Sequence, residues 1–258
     1  MSIKVIIPRH DEAVYNSYAG PSIRKQPVLI CDIQDKPGIE FRMADKYNYG
    51  VQALIAQHQL NEKDIVVFMH EDVKVLDPLF THKLEYIFEQ KPEIGLVGCC
   101  GATLLTEAGG WHLTDNENLR GHLLQEFQGK VNHNVFGNNV GFFDDLCVVD
   151  GFCMAARAKL FTQEGIKFDR EVGTVDFYDL DICLQILEKG YKIGIIDMLL
   201  QHKSEGGGIL AEQWKVSREL FIAKWKQKGK SFPITLEQFK LKDFTVKEAE
   251  LSLGDIEI

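Results

Sequence analysis

Along this chain apolar residues gather in short, mostly continuous runs and seldom alternate with polar ones. Ile3–Ile7 is the first run, stopped by Pro8, and Val28–Cys31 is the second, ending at Asp32. Ile65–Met69 is the third and Ile94–Gly98 the fourth. Such runs predict strands covered on both faces, the habit of parallel sheets. Between them the spacing becomes helical: residues 44–59 place Tyr47, Val51, Leu54 and Ile55 on one face. Asp77-Pro78 sets an N-cap and a first-turn proline for a helix through Gln90. The β-α-β-α order predicts an α/β fold, an open and mostly parallel sheet with helices on both faces.

The pattern lapses from Ala102 to Asp145, where Gly109-Gly110-Trp111-His112 and Asn132–Phe143 show no clear period. An irregular stretch of that length predicts a functional or mobile segment. Order returns with a helix over Asp179–Lys189, with Leu180, Cys183, Leu184 and Leu187 on one face and Gly190 as its C-cap. A strand over Lys192–Leu200 follows, then an amphipathic helix over Glu212–Gln227 carrying Trp214, Phe221 and Trp225. Residues 1–231 read as one domain. Residues 232–258 read as an extension that packs on that domain or on a partner subunit, which admits a homo-oligomer.

Composition narrows the classes. The 258 residues are 45% hydrophobic and 26% charged, ordinary values for a soluble globular chain. With 29 basic and 38 acidic residues the formal charge is −9, without the broad positive field of a nucleic-acid binder. The basic run Lys224–Lys230 reads as a solvated helix end. No apolar run approaches the roughly 18 residues of a transmembrane segment, and Met1–Pro8 is too short an apolar run for a secretory signal. The six cysteines form no C-x-x-C pair and mostly sit in apolar runs, which predicts reduced thiols and a cytoplasmic setting.

Ligands of open α/β sheets bind beyond the carboxyl ends of the strands. His70-Glu71-Asp72 follow the third run directly, His202 follows a later one, and Asp179 and Asp181 open a helix whose N-terminus faces the same edge. Carboxylate with imidazole suits Mn²⁺ or Mg²⁺, with positions left open for phosphate oxygens. Singly, each residue has a structural reading: Asp72 a turn, His202 a strand-end histidine, Asp179 an N-cap, Asp181 a first-turn acid favoured by the helix dipole. The conjunction carries the functional reading.

Read in order, Tyr47-Asn48-Tyr49-Gly50, Phe68-Met69-His70-Glu71-Asp72-Val73, Asp150-Gly151-Phe152, Phe168-Asp169, Tyr178-Asp179-Leu180-Asp181 and His202 form a fairly specific set. From Ile3 to roughly Trp225 the chain resembles a family 2-type glycosyltransferase of the GT-A fold, in its bacterial glycosyltransferase-like branch. The resemblance implies transfer of a sugar from a nucleotide-diphosphate donor to an acceptor hydroxyl, with inversion and with Mn²⁺ or Mg²⁺. It implies a glycan, lipid-linked glycan or protein as acceptor, and no nucleic acid. It implies Asp179 as the catalytic base and Asp72, His202 and His70 around the metal. Asp32, Asn48, Glu71, Gly151 and Asp181 fall around the donor nucleotide. His70 stands where the motif often has its first Asp, and Tyr178 where a Glu often precedes the base. Trp111 and His112 either contact the acceptor or anchor a long loop.

Two rivals stay beside this reading. One is a degenerate, non-catalytic GT-A domain that binds nucleotide, glycan or a protein partner. The other is a non-haem Fe(II) oxygenase with His70-x-Asp72…His202 as its facial triad and Arg218 for a co-substrate, which the many helical stretches disfavour. A nucleotidyltransferase lacks its Gly-rich loop, since Pro8-Arg9-His10-Asp11-Glu12 follows the first run.

Overall fold

A computed structural model describes residues 1–35, 42–137, 140–172, 176–203 and 212–244. Its first half runs β1 (Ile3–Arg9), α1 (Glu12–Ser17), α2 (Ala19–Ile23), β2 (Leu29–Gln34), α3 (Met43–Ala56), β3 (Ile65–Met69), β4 (Val73–Val75), α4 (Phe80–Gln90) and β5 (Ile94–Gly98). Then come β6 (Cys100–Ala102), β7 (Leu104–Leu105), β8 (Leu119–Phe127), β9 (Lys130–Phe136), β10 (Phe143–Leu146), β11 (Val148–Val149), β12 (Cys153–Arg157) and α5 (Lys159–Thr162). The chain continues through α6 (Tyr178–Glu188), β13 (Lys192–Ile195), β14 (Leu200–Lys203), α7 (Glu212–Gln227) and β15 (Ile234–Thr235).

The large sheet has seven strands in the order β10-β13-β5-β12-β3-β1-β2. β1, β2 and β3 are parallel, β5 is parallel to β13, and β12 runs antiparallel to both β3 and β5. The apolar runs behave as their composition predicts: Val5, Ile6, Ile7, Val66, Val67, Phe68, Leu96 and Val97 are fully buried. β1 continues through Pro8, which pairs in register with Ile33 of β2. The proline is tolerated because β3 reaches only as far as Ile6, so no ladder partner waits for the missing N–H. β2 likewise extends past Cys31, so Asp32 lies inside the strand, opposite Ile7.

Three expectations are corrected. The stretch from Ala102 to Asp145 is not irregular: β8 and β9 form a hairpin through a two-residue turn at Gln128-Gly129, both with positive φ (50° and 73°). That turn geometry matches the right-handed twist of the flanking strands. The predicted strand Lys192–Leu200 is two strands, β13 in the large sheet and β14 in a second sheet, so His202 lies within β14 rather than after a strand of the large sheet. The helix expected from Pro78 starts at Phe80, because the Asp77 carboxylate is buried and holds the Leu79 N–H (2.8 Å) and the Lys83 ammonium (2.6 Å). The second sheet has six strands, β11-β6-β8-β14-β4 with β9 on the outer side of β8.

α6 ends as expected, with the Gly190 N–H on the Leu187 carbonyl (2.8 Å) and the Tyr191 N–H on that of Ile186 (3.3 Å). It is joined to α7 by a buried ion cluster. Asp181, fully buried, accepts from Lys224 Nζ (2.7 Å to Oδ1), Trp225 Nε1 (3.0 Å) and Gln185 Nε2 (2.7 Å), while Lys224 also reaches Asp169 (2.8 Å). Beyond α7, β15 pairs with β7, the Lys242 N–H meets the Gly190 carbonyl (2.8 Å), and Phe244 packs on Tyr191. Residues 245–258 of the expected extension lie outside the described residues.

Removing one partner of a buried ion pair leaves the other charge uncompensated, at a cost of about 3–5 kcal/mol. Lys224→Met therefore strands the Asp181 carboxylate. Its urea midpoint, followed by tryptophan fluorescence, falls accordingly, and falls further than that of Asp181→Asn.

Candidate active site

Two strand pairings assemble the site. β3 and β12 pair Met69 with Cys153, and beyond that pair the His70 N–H donates to the Phe152 carbonyl (2.9 Å). This fixes His70-Glu71-Asp72 beside Asp150-Gly151-Phe152. β4 and β14 pair Val73 with His202, and the Lys203 N–H donates to the Asp72 carbonyl (3.1 Å). Asp72 and His202 thus meet from two sheets at one rim.

His70, Asp72 and His202 each offer a ligand atom within 4.8 Å of the others. Asp72 Oδ1 is buried and has no hydrogen-bond partner among the described residues. Around it stand only His202 Nε2 at 3.5 Å and His70 Nδ1 at 3.9 Å. A buried carboxylate oxygen without a donor is costly, and a cation between the three groups would satisfy it. The donor set, two imidazoles and one carboxylate, fits a divalent ion with open positions. The groups behind the two imidazoles fit as well. His70 Nε2 lies 2.5 Å from the Tyr178 hydroxyl, and the His202 ring stacks on Phe152 at 4.6 Å and 13°. With its proton on Nε2 toward Tyr178, His70 leaves Nδ1 as a lone pair facing Asp72.

Electrostatics separates the carboxyls. Burial pushes Asp72 up, but the pull of His202 and His70 outweighs it and holds the group below the usual carboxylate range. Burial lowers His70, with His202 adding and Asp72 opposing, so His70 is a neutral imidazole at neutral pH. Burial also acts to lower His202, but Asp72 outweighs it and raises the group. Asp179 moves the other way. Burial first, then the charge of Asp150, push it up to about 7, although its oxygens accept the N–H groups of Gly151 (3.0 Å) and Leu180 (2.8 Å). It sits in the first turn of α6, after Phe177 in a left-handed conformation (φ 65°). Strain of that kind on a non-glycine residue is a mark of functional segments.

The remaining candidates separate into near and far. Gly151 belongs to the site for a steric reason: a Cβ there would come within 2.4 Å of the Tyr178 hydroxyl and 2.7 Å of Asp179 Cβ. Glu71 turns away from Asp72 and accepts the backbone N–H groups of His10 (2.9 Å) and Asp11 (3.1 Å), tying the loop after β1 to the loop after β3. Asp32 is ion-paired with Arg9 on β2, two strands out from β3, or roughly 10 Å in the sheet plane. Asn48 does not face a ligand, since its amide brackets the Phe168 backbone through Nδ2 (2.8 Å) and Oδ1 (3.0 Å). Asp181 does not reach the rim: its carboxylate is buried against Lys224, Trp225 and Gln185. Trp111 is only 8% exposed, with Nε1 on Asp150 Oδ2 (2.7 Å) and its ring edge-on to Phe136, so it anchors its loop, whereas His112 is exposed.

The site also holds residues that stood in the sequence set without an assigned role. Asp150 receives Trp111 and raises Asp179. Phe152 orients His202, and Tyr178 orients His70. Their signal was the Asp150-Gly151-Phe152 triplet, an acid and a glycine directly ahead of an apolar run.

Residues 39–232 match the family described as glycosyltransferase-like. The chain belongs to that family. Among solved structures it is similar to GalNAc-T7 crystallised with UDP, GalNAc and Mn²⁺, at TM-score 0.52 and 10% identity, over 85% of this chain and 48% of that one. It therefore spans about half the length of that relative, and at such identity the likeness bears on the fold alone, which is GT-A. A glycosyltransferase involved in glycosylation of the PBCV-1 major capsid is also matched, at TM-score 0.44 and 9% identity, over 86% of this chain and all of that one. No curated protein matches the chain. The GT-A fold, with its open sheet, displaces the oxygenase reading, whose chemistry belongs to a double-stranded β-helix.

Overpacking a filled site costs about 1–3 kcal/mol. Gly151→Ala lowers the melting temperature by that equivalent and pushes Tyr178 off His70. The penalty shrinks in a Tyr178→Phe background, where the nearest clashing atom is gone, and a double-mutant cycle on melting curves reads the non-additivity.

Proposed function

We propose that this glycosyltransferase-like protein moves a sugar from a nucleoside-diphosphate donor to an acceptor hydroxyl, with inversion at the anomeric carbon and with a divalent cation. The observation that carries the reading is Asp179, a carboxyl pushed up to about 7, held on the same rim as the His70–Asp72–His202 cluster. A base works best when its pKa lies near the operating pH. Asp179 takes the acceptor hydroxyl proton as that oxygen bonds to the anomeric carbon. The carbon–oxygen bond to the donor phosphate breaks on the opposite face, and the nucleoside diphosphate leaves with the electron pair.

His70 Nδ1, Asp72 and His202 Nε2 are the groups that would hold Mn²⁺ or Mg²⁺. When bound, the cation offsets the negative charge that develops on the leaving diphosphate. Asp150 keeps Asp179 basic, and Gly151 and Leu180 fix the orientation of its carboxylate through their N–H groups. Glu71, which ties the loop after β1 to the loop after β3, is the acid nearest a donor bound at the cluster, Asp32 lies two strands out, and His112 stands exposed for a glycan, lipid-linked glycan or protein acceptor. GalNAc-T7 was crystallised with UDP and Mn²⁺, which makes that pair the first to test. No helix among the described residues is long and apolar enough to cross a membrane.

Thermal unfolding with UDP, GDP, CDP and dTDP, each with and without Mn²⁺, tests donor and metal together. Ligand at about 100 times its dissociation constant stabilises by about 2.7 kcal/mol. One nucleotide raises the melting temperature in the presence of Mn²⁺, and Asp72→Ala abolishes the Mn²⁺-dependent part. No shift with any nucleotide returns the protein to the degenerate-domain reading.

The pH profile tests the base. Asp179 must be ionised to accept a proton, so kcat/KM rises about tenfold per unit below pH 7 and levels off above it. Asp179→Asn lowers kcat for transfer and for donor hydrolysis by ~10²–10⁴. Wild-type turnover in that variant removes Asp179 from the mechanism.

A further inference from the structure

β9 is an outer strand of the second sheet. β9 pairs with β8 alone, in seven successive registered pairs from Gly121–Phe136 to Phe127–Lys130 without a shift. Its other edge meets no described strand. Free edges invite pairing with another chain, and proteins usually block them with proline, bulges or charges set mid-strand. β9 has none of these: Lys-Val-Asn-His-Asn-Val-Phe carries its only full charge at the turn end.

The sequence of that edge is symmetric. Val131-Asn132-His133-Asn134-Val135 reads the same in both directions. Two antiparallel copies related by a two-fold axis through His133 set Val131 opposite Val135 of the other copy, Asn132 opposite Asn134, and Lys130 opposite Phe136. No lysine meets a lysine. Val131 and Val135 lie on one face of the strand and are 50% and 40% exposed, so each gains an apolar cross-strand neighbour it lacks in one chain. The same face carries His133, whose Nε2 lies 3.1 Å from His122 Nδ1, which steadies the centre of the strand. An isologous contact needs a patch complementary to itself, and a palindromic strand meets that condition residue by residue. β2, the outer strand of the large sheet, reads Leu-Ile-Cys-Asp-Ile-Gln and has no such symmetry.

We propose that the protein forms a two-fold dimer by antiparallel pairing of β9 with β9 of a second copy, making one continuous sheet. The strand order across the junction is β14-β8-β9-β9-β8-β14. At about 4.8 Å per strand, the two His202-bearing strands then lie about 24 Å apart in the sheet plane. The inference is independent of the glycosyltransferase reading, because no residue of β9 takes part in that site.

Analytical ultracentrifugation of the full chain across a concentration series reads the assembly. The expected mass is twice 29.3 kDa at high concentration, falling to 29.3 kDa in Val131→Lys/Val135→Lys, where each lysine opposes another. Cross-linking reads the register. His133→Cys lies on the axis and oxidises to a disulfide-linked dimer, whereas Asn132→Cys faces residue 134 of the other copy and lags well behind. A monomer throughout the series overturns the proposal, as does a dimer that the lysine pair leaves intact. Equal cross-linking at positions 132 and 133 overturns it too. Should the lysine pair unfold the hairpin, the cysteine pair still decides.

Discussion

The antiparallel insertion of β12 between β3 and β5 is the constraint on which the site depends. Were β12 parallel to its neighbours, the Asp150-Gly151-Phe152 segment would enter the sheet at the opposite edge. Because it runs backward, that segment lies beside the carboxyl end of β3, and one hydrogen bond from His70 to Phe152 sets the register. Each further group is positioned from this pair. Phe152 stacks on His202, Gly151 accommodates Tyr178 and holds Asp179, and Asp150 holds Trp111. An aromatic layer beneath, Tyr47, Phe68, Phe168 and Tyr178, has ring centroids 4.8–6.2 Å apart and fixes the plane from which the Tyr178 hydroxyl reaches His70.

Two carboxyls on this rim are driven apart by their surroundings. Asp72 stands between two imidazoles and is held ionised, while Asp179 stands near another acid in a poorly solvated corner and titrates near neutrality. Such a separation is what the proposed function needs: one group charged for a cation, the other able to exchange a proton near neutrality. The helix N-terminus favours the charged form of Asp179, but burial and Asp150 outweigh it. Position in a helix alone would have assigned the opposite tendency.

The layers were legible in the sequence because burial on both faces leaves a plain mark. β1, β3 and β5 are continuous apolar runs, and Gly190 and the Trp214–Trp225 stripe mark α6 and α7. Strand direction leaves no such mark, and β12, Cys-Met-Ala-Ala-Arg, is less apolar than β3, so it escaped notice. The β8–β9 hairpin escaped for a different reason: its turn is Gln-Gly rather than Asn-Gly, and its valines face outward, so no alternation points to a core. At the site, chain proximity misled where helical geometry decides. Asp179 and Asp181 are two residues apart and therefore some 200° apart around α6, so one faces the rim and the other is buried against α7. His70 and Asp72 stood out because they follow the apolar run of β3; His202 joins them by a route the sequence did not mark, from inside β14 of the second sheet through its pairing with β4.

The two positions where the chain departs from the pattern it resembles are in contact with each other. His70 stands where an Asp is usual and Tyr178 where a Glu is usual, and their side chains meet at 2.5 Å. Losing either acid alone would leave a carboxylate facing a neutral partner; changing both removes two negative charges from a rim that still carries Asp72, Asp150 and Asp179. Like charges raise one another's pKa, so fewer acids here make it easier for Asp72 to stay ionised and keep Asp179 from rising further. The imidazole offers a nitrogen in place of an oxygen, and its other nitrogen pairs with the phenol hydroxyl. The two departures thus form one hydrogen-bonded unit, and the proposed cation would meet two nitrogens and one carboxylate there.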